Sequence, residues 1–411
     1  MKGIFVILDG LGGLPNKKLD GKTPLEAASI PNLNFLATRG ELGLMYPVKP
    51  GFIPESDESI VSIFGNKLIN SSRGQLEARG AGLELKRGDL ALRVNFSTVD
   101  TGGNIKDRRT GRTLTSAEAE SLAEALNEIK LPCKFDFVST IQHRAVVVFR
   151  GGFSDNFSGN DKTYIQGRSE EPDKISLCRA SDDDENTIYT VNLVNEFLRK
   201  AYDVLKKHPL NKLRKEKGLL PANYLLIRNP GIEKPKLKQY PKWVSANYMP
   251  LEIGFSNICG MKNFSFSYPK LKGLDSYKNL YNGLRKACKF SIKVLKRNYK
   301  KADYAYIHLK ETDLPGHDNK PLVKKEMIEH IDRTFFAFLR RFCPPNKIQV
   351  VVTGDHSTPC KLKNHSADPV PVLWYNLGVP REKKFNEEEC QKGSLGKFMG
   401  SELFKKVGFD K

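Results

Sequence analysis

Four short apolar runs in this chain each stand against a cluster of acids, hydroxyls or histidines. Ile4–Leu8 leads into Asp9-Gly10, and Tyr304–Leu309 leads toward Asp313 and His317. Ile348–Val352 leads into Thr353-Gly354-Asp355-His356, and Val370–Trp374 lies just after His365. A short continuous apolar run bounded by turn residues fits a strand buried on both faces, as in a parallel sheet. Ligands bind such open α/β sheets at the carboxyl ends of their strands. The polar clusters therefore stand where chemistry is expected, and the sheet draws on both ends of the chain.

Helical patterns alternate with these runs. Leu284, Ala287, Cys288, Ser291, Ile292 and Leu295 mark one face of a helix, and Val194, Phe197, Leu198, Ala201 and Leu205 mark another. Thr115 with Glu118 has the form of a capping box before Ala119–Ile129. From about Gly74 to Leu220 the texture changes. Here lie glycine turns, the basic stretch Lys106-Asp107-Arg108-Arg109-Thr110-Gly111-Arg112, the β-type run Ala145–Phe149 and an acidic loop at Asp182–Glu185. The expected organisation is an α/β parallel-sheet domain from residues 1–72 and 221–411, with residues 73–220 inserted as a second α/β (α+β) domain.

Lys and Arg number 67 against 47 Asp and Glu, a net charge of +20. Such a field favours an anionic partner. Nucleic acid and a phosphorylated small molecule both fit, as does a lysine-rich surface that is simply solvated. The aromatic interleaving that stacks bases is missing. Seven scattered cysteines without a C-x-x-C pair argue against a disulfide framework or a zinc finger, and suit a reducing cytoplasm. No run approaches the ~18 apolar residues of a membrane span. The N-terminal MKGIFVILDG reads as a buried strand and not as a signal peptide.

Asp313-Leu-Pro-Gly-His317 is an Asp-x-x-x-His: on a helix the two would share a face, but Pro315-Gly316 argues for a tight loop, and either way carboxylate and imidazole can converge on one ion. Alone it is a weak signal, as is Asp355-His356. With Asp9, His308 and His365 they form a set of His and carboxylate ligands suited to Mn²⁺, Zn²⁺ or Mg²⁺, and large enough for two ions. Two such ions ~3.5–4 Å apart clamp the attacking and leaving oxygens of phosphoryl transfer. The nucleophile is expected in Glu55-Ser56-Asp57-Glu58-Ser59, before the apolar Ile60–Phe64. A serine at a helix N-terminus gains from the positive dipole end; local spacing leaves Ser56 and Ser59 both open.

At these residues the chain resembles the archaeal-type cofactor-independent phosphoglycerate mutases of the alkaline phosphatase superfamily, over nearly its whole length. The resemblance is carried by Val6-Ile7-Leu8-Asp9-Gly10, Arg73-Gly74-Gln75-Leu76-Glu77-Ala78, Arg93-Val94-Asn95-Phe96-Ser97-Thr98-Val99-Asp100, Asp107–Arg112, His143–Val148, Lys310-Glu311-Thr312-Asp313 with Gly316-His317-Asp318, and Thr353–Pro359. It implies an alkaline-phosphatase-like core with helices on both faces and an inserted phosphotransferase-type domain. By motif position Asp313, His317 and His365 would hold one ion. Asp9, Asp355, His356 and the Ser56 oxygen would hold the other, and the family's Gly-Ser-Asp motif selects Ser56 over Ser59. Arg73, Arg93, Asn95, Arg108 and His143 fall in motifs of the substrate-binding insert. Asp107 would carry a proton, and Lys270 would steady the transferred phosphoryl group. Three features depart from the family pattern: Glu55 replaces glycine before the serine, no histidine comes shortly after Ser56, and Gly65-Asn66-Lys67 stands for Gly-Tyr-Asp.

The activity implied is interconversion of 3-phosphoglycerate and 2-phosphoglycerate in glycolysis and gluconeogenesis through a phosphoserine. It would use two divalent ions, Mn²⁺ first and Mg²⁺, Zn²⁺ or Co²⁺ as alternatives, and no 2,3-bisphosphoglycerate. The rival readings are a metal-dependent phosphatase or mutase for another phosphorylated small molecule, and a basic nucleic-acid-binding protein. The expected partner is a small phosphorylated substrate, with no specific nucleic acid and no membrane; a homo-oligomer is left open.

Overall fold

The computed structural model describes residues 1–68, 72–161 and 174–410. Its strands are β1 (Gly3–Leu8), β2 (Gly40–Tyr46), β3 (Leu90–Val99), β4 (Ile105–Asp107), β5 (Phe135–Ser139), β6 (Arg144–Phe149), β7 (Phe157–Ser158), β8 (Arg179–Ala180), β9 (Tyr224–Gly231), β10 (Trp243–Ala246), β11 (Lys262–Phe264), β12 (Tyr304–Leu309), β13 (Gln349–Thr353), β14 (Val370–Tyr375) and β15 (Gly396–Met399). An eight-stranded sheet runs in the order β11-β10-β12-β1-β13-β14-β2-β15. The first strand, GIFVIL, is buried at every residue. Ile4, Val6 and Leu8 join the core on one face, and Phe5 and Ile7 join the core on the other. A two-sided burial of this kind requires an uninterrupted apolar run, because successive side chains point to opposite faces.

The sheet is mixed and not wholly parallel. β1 pairs in parallel with β12 and β13, but β14 is antiparallel to both β13 and β2. β13 and β14 are joined by a loop, residues 354–369, that contains no crossover helix. A parallel return usually needs such a crossover. Helices cover both faces. The Ser276–Asn298 helix starts at Asp275, whose side chain accepts from the Lys278 N–H at 2.9 Å, and it buries Leu284, Ala287, Cys288, Ser291 and Leu295. Its lysines face out, as the apolar stripe requires.

β3, β4, β5, β6 and β9 form a second, antiparallel sheet with its own core of Leu92, Val94, Phe96, Val147, Phe149 and Phe197. β7 and β8 pair with each other. The Ser116–Asn127 helix covering this sheet opens with the expected capping box of Thr115 and Glu118. The boundary expected at residue 220 would put β9 in the first domain. β9 instead pairs with β3, Asn95 opposite Leu226, so the second sheet extends to Gly231. The run Tyr224–Ile227 is apolar enough for either sheet, and only the long-range pairing decides.

The two sheets meet at a helix crossing. Ser72–Gly80 packs against Pro250–Ile258, with Gly80 beside the Pro250 carbonyl and Gly254 beside the Leu76 carbonyl, where an added Cβ would collide. This approach sets Arg73 and Glu77 of one helix near Glu252 of the other. No helix among the described residues is long and apolar enough to cross a membrane.

Candidate active site

The carboxyl ends of β1, β12 and β13 converge on one point. Asp9 directly succeeds β1 and is 1% exposed. The next residue, Gly10, has φ +62°, and its N–H donates to Asp355 Oδ1 at 2.9 Å. A Cβ at Gly10 would strike Asp313 Oδ1 and Thr358 Oγ1, so the turn demands glycine. Buried Lys324 holds the same turn by donating to the carbonyls of Gly10 (2.6 Å), Thr358 (3.0 Å) and Gly12 (3.3 Å). It satisfies groups that burial would otherwise leave orphaned.

Asp313–His317 forms a single helical turn and not the tight loop that Pro315-Gly316 suggests, because a proline is tolerated in the first turn of a helix, and the Asp-x-x-x-His pair shares a face. His317 Nε2 lies 3.2 Å from Asp313 Oδ2, while its Nδ1 meets the Lys363 carbonyl at 3.2 Å. His365 Nδ1 donates to the Pro54 carbonyl at 2.9 Å, which turns Nε2 to within 3.9 Å of Asp313 Oδ1. A carbonyl on one ring nitrogen orients the other as a ligand. The ligand atoms of Asp313, His317 and His365 all lie within 4.8 Å of one another, the set expected for one ion.

The other expected set is also assembled. His356 Nε2 is 3.3 Å from Ser56 Oγ, 3.3 Å from Asp355 Oδ2 and 3.5 Å from Asp9 Oδ1. Asp9, Asp313 and His356 form a second candidate group, and Asp9, Glu252 and His308 a third. Burial drives His356 down to about 3 and His308 down to about 4, so both are neutral at pH 7, the form that binds metal. Asp355 Oδ2 and Glu252 Oε2 are buried without a hydrogen-bond partner among the described residues. Burial raises Glu252 to about 8, with the Asp355 charge adding to the effect. Against Asp9, Asp313, Asp355 and Glu252 stands the ammonium of Lys310. It ion-pairs with Asp9 and, at 2.9 Å, with Glu252 Oε1. Unpartnered carboxylates and neutral imidazoles in excess of local cation are the donor set of a divalent-ion site.

Ser56 opens the Ser56–Ile63 helix and is 7% exposed. Asp57 and Glu58 stand in the first turn, and Glu58 Oε2 accepts from the Glu55 N–H at 2.8 Å. Acids here match the positive end of the helix. Ser56 Oγ accepts from Lys310 Nζ at 3.3 Å. Ser59 is fully buried, its hydroxyl without a hydrogen-bond partner among the described residues, and of the two serines only Ser56 lines the cavity.

That cavity, about 200 Å³, lies between the sheets, and its walls differ in charge. Elements of the first sheet's side contribute Asp9, Glu252, Glu311 and Asp313; the inserted segment and its sheet contribute Arg93, Arg108, Arg109, Arg112, Arg144 and Arg228, with Asn95 and His143, and Glu77 and Asp161 stand among these arginines. Arg93 Nη1, Asn95 Oδ1, His143 Nδ1 and Arg144 Nε are buried and have no hydrogen-bond partner among the described residues. Burial depresses Arg93 to about 9, and Arg228 and Arg73 push it the same way. Of the unpartnered atoms, the Arg93 and Arg144 nitrogens are charged donors that an anion satisfies, while the Asn95 oxygen is an acceptor suited to a hydroxyl.

Four expected residues stand elsewhere or are otherwise engaged. Lys270 is 63% exposed in its side chain and pairs with Glu120 at 2.8 Å; it does not line this cavity. The lysine beside Ser56 is Lys310. Asp107 is also outside the lining, and its Oδ1 accepts from the N–H groups of Arg109 (2.7 Å) and Gly111 (2.9 Å), shaping the arginine turn. Arg73 lines the cavity, but its Nε and Nη1 are bound by Glu77, Glu55 and Asp57. Arg108 binds Asp161. Sequence reasoning missed Lys310, Glu252 and Lys324. Lys310 comes directly after a buried strand, which was a usable signal, whereas Glu252 has no neighbouring ligand type to mark it.

A cation-demanding acidic end and a basic wall, joined by one cavity on an α/β scaffold, define a metalloenzyme for an anionic substrate. Known proteins point the same way. The family model described as 2,3-bisphosphoglycerate-independent phosphoglycerate mutase matches residues 37–211, and that of the Metalloenzyme superfamily matches residues 280–411. The 2,3-bisphosphoglycerate-independent phosphoglycerate mutase of Thermococcus kodakarensis is 39% identical over 410 residues, 98% of this chain and 95% of the relative. A solved structure from Pyrococcus horikoshii is similar at a TM-score of 0.77 and 29% identity, covering 100% of this chain and 98% of that one. The cofactor-independent phosphoglycerate mutase of Thermoplasma acidophilum is similar at a TM-score of 0.58 and 29% identity, covering 100% and 99%. The chain belongs to the family of 2,3-bisphosphoglycerate-independent phosphoglycerate mutases.

Proposed function

We propose that this enzyme interconverts 3-phosphoglycerate and 2-phosphoglycerate by passing the phosphoryl group through Ser56. The observation that carries the reading is the two-faced cavity: a nucleophile candidate at the acidic end and unpartnered donors opposite. A phosphoglycerate has a phosphate for one end and a carboxylate for the other. Asp313, His317 and His365 would hold one divalent ion, and Asp9, Asp355, His356 and Ser56 the other, with Mn²⁺ the metal proposed. The ions supply Lewis-acid charge that lowers the pKa of the serine hydroxyl and offsets phosphoryl charge.

Within this reading Ser56 Oγ attacks phosphorus in line, and the bond to the substrate oxygen breaks. Lys310 donates to Oγ and stabilises its oxyanion form. Arg93, Asn95, His143 and Arg144 bind the glycerate carboxylate and hydroxyls, so the dephosphorylated intermediate stays while it turns. Its other hydroxyl then attacks the phosphoserine, and the proton it sheds replaces the one taken up by the first alkoxide. The walls must keep water out, or the phosphoserine hydrolyses. The two sheets act as two units, the second inserted in the first, and their closure gates the cycle. Seven unpaired cysteines support work in the cytoplasm.

The test is a coupled assay of purified protein with 3-phosphoglycerate and each divalent ion in turn, with no bisphosphoglycerate added. Formation of 2-phosphoglycerate supports the reading. Release of free phosphate in its place would assign the site to a phosphatase.

A further inference from the structure

Ser56 stands between two carboxylates that are bound to the same nitrogen atom. Arg73 Nη1 donates to Glu55 Oε2 at 2.9 Å and to Asp57 Oδ1 at 2.8 Å. Arg73 Nε donates to Glu77 Oε1 at 2.9 Å, one turn further along its own helix. Arg73, Asp57 and Glu77 are 8%, 6% and 6% exposed, so these are not screened surface pairs. A guanidinium that faces three carboxylates has little positive potential left for a substrate anion. Its neighbour Arg93 faces one carboxylate, Glu77 at 3.4 Å, and its Nη1 has no hydrogen-bond partner among the described residues.

The geometry points to Arg73 as a positioning residue for the nucleophile: it grips the residues on either side of Ser56 and fixes the hydroxyl at the open end of its helix. The first turn of a helix lacks backbone partners for its N–H groups and frays unless held. Here it is held from both flanks through one atom. The grip also ties the Ser56–Ile63 helix to the Ser72–Gly80 helix, which packs against the second sheet and against the Pro250–Ile258 helix. Glu55, the departure from the glycine of the family pattern, supplies one of the two arms. Its negative charge is matched by Arg73, so it is not left facing the transferred phosphate alone. The inference rests on Ser56 as the nucleophile and gives Arg73 a role distinct from substrate binding.

The experiment compares Arg73→Lys, Glu55→Gly and Arg93→Met in the full-length protein, by steady-state kinetics and by hydrogen exchange of the peptide spanning Glu55–Ile60. Arg73→Lys keeps a charge but loses the fork, so kcat should fall roughly 10–100-fold with KM for 3-phosphoglycerate little changed. Glu55→Gly should lower kcat by a smaller factor, also at constant KM. Both should speed exchange in the first turn of the helix. Arg93→Met should raise KM and leave that exchange unchanged. If Arg73→Lys does not fold, Glu55→Gly carries the test, since it leaves Arg73 paired with Asp57 and Glu77. A rise in KM at unchanged kcat for either clamp variant, or exchange equal to wild type, overturns the proposal. A wild-type protein that turns over without acquiring phosphate on Ser56 overturns the nucleophile reading itself, and is told apart because faster exchange in the variants would still report the grip.

Discussion

Lys310 Nζ lies 3.3 Å from Ser56 Oγ across 254 positions of chain. The same ammonium pairs with Asp9 and Glu252, so the end of β12 delivers an amine that reaches both the nucleophile candidate and the acidic cluster. Burial lowers its pKa, and the nearby Asp355 and Asp313 charges oppose that shift. A charge placed where an oxyanion develops, in a site shielded from water, acts far more strongly than in solvent.

Lys310→Met should therefore lower kcat by about 10²–10³ with a much smaller change in KM. Lys310→Arg should not restore it, because a planar fork does not replace a compact ammonium between Asp9, Glu252 and Ser56. Steady-state kinetics with 3-phosphoglycerate measures both. A Met variant with wild-type kcat would remove Lys310 from the chemistry.

Removing divalent ions with a chelator should abolish activity, and Mn²⁺ should restore it. The protein should bind two ions per chain by elemental analysis, and Asp313→Ala at most one. Saturating metal at about 100 times Kd should stabilise the fold by about 2.7 kcal/mol for each site filled, read as a rise in Tm. Full activity in the chelated protein would contradict the assignment of Asp9, Asp313, Asp355 and the three histidines as ligands.

On the basic wall, Arg93→Met should raise KM for 3-phosphoglycerate by one to two orders of magnitude, the loss of a charge-assisted bond of about 1.5–3 kcal/mol. Asn95→Ala should raise it less. Lys270→Met should leave kcat and KM unchanged, since Lys270 serves only a surface pair with Glu120.

Glu387 gives a pH signature away from the chemistry. Its carboxylate accepts from the Gly13 N–H at 3.2 Å and from Thr23 Oγ1 at 2.7 Å, and burial raises it from an ordinary 4.5 to about 7. Between those values the folded chain holds a proton that the unfolded chain has released. Stability therefore falls as pH rises through this window. Glu387→Gln cannot titrate. From about pH 5 to about pH 8 the stability difference should move in its favour by on the order of 2 kcal/mol, measured by denaturant melts. A constant difference would show that burial does not perturb Glu387.

The amino-acid sequence made some of this legible and hid the rest for physical reasons. GIFVIL and QVVVT announce buried strands because two-sided burial forbids polar interruption, and the polar residues just beyond them, Asp9 and Asp355, fall at the ligand-binding edge. The orientation of β14 and the sheet to which β9 belongs are set by pairings between distant segments, which local periodicity does not encode. Lys310 was hard to single out because a chain of net charge +20 offers lysines everywhere. Lys270 is suggested only by the family resemblance, and a motif position does not say which way a surface side chain turns. Glu252 reaches the acidic cluster from the first turn of the Pro250–Ile258 helix, which follows the carboxyl end of β10, a placement that only the tertiary fold reveals.

The most direct measurement is mass spectrometry of the protein quenched in acid during turnover of 3-phosphoglycerate with Mn²⁺. The account predicts a phosphate on the peptide that contains Ser56 in wild type, none in Ser56→Ala, and no mutase activity in that variant. Wild-type turnover with an unmodified Ser56, or a fully active Ser56→Ala, would contradict it.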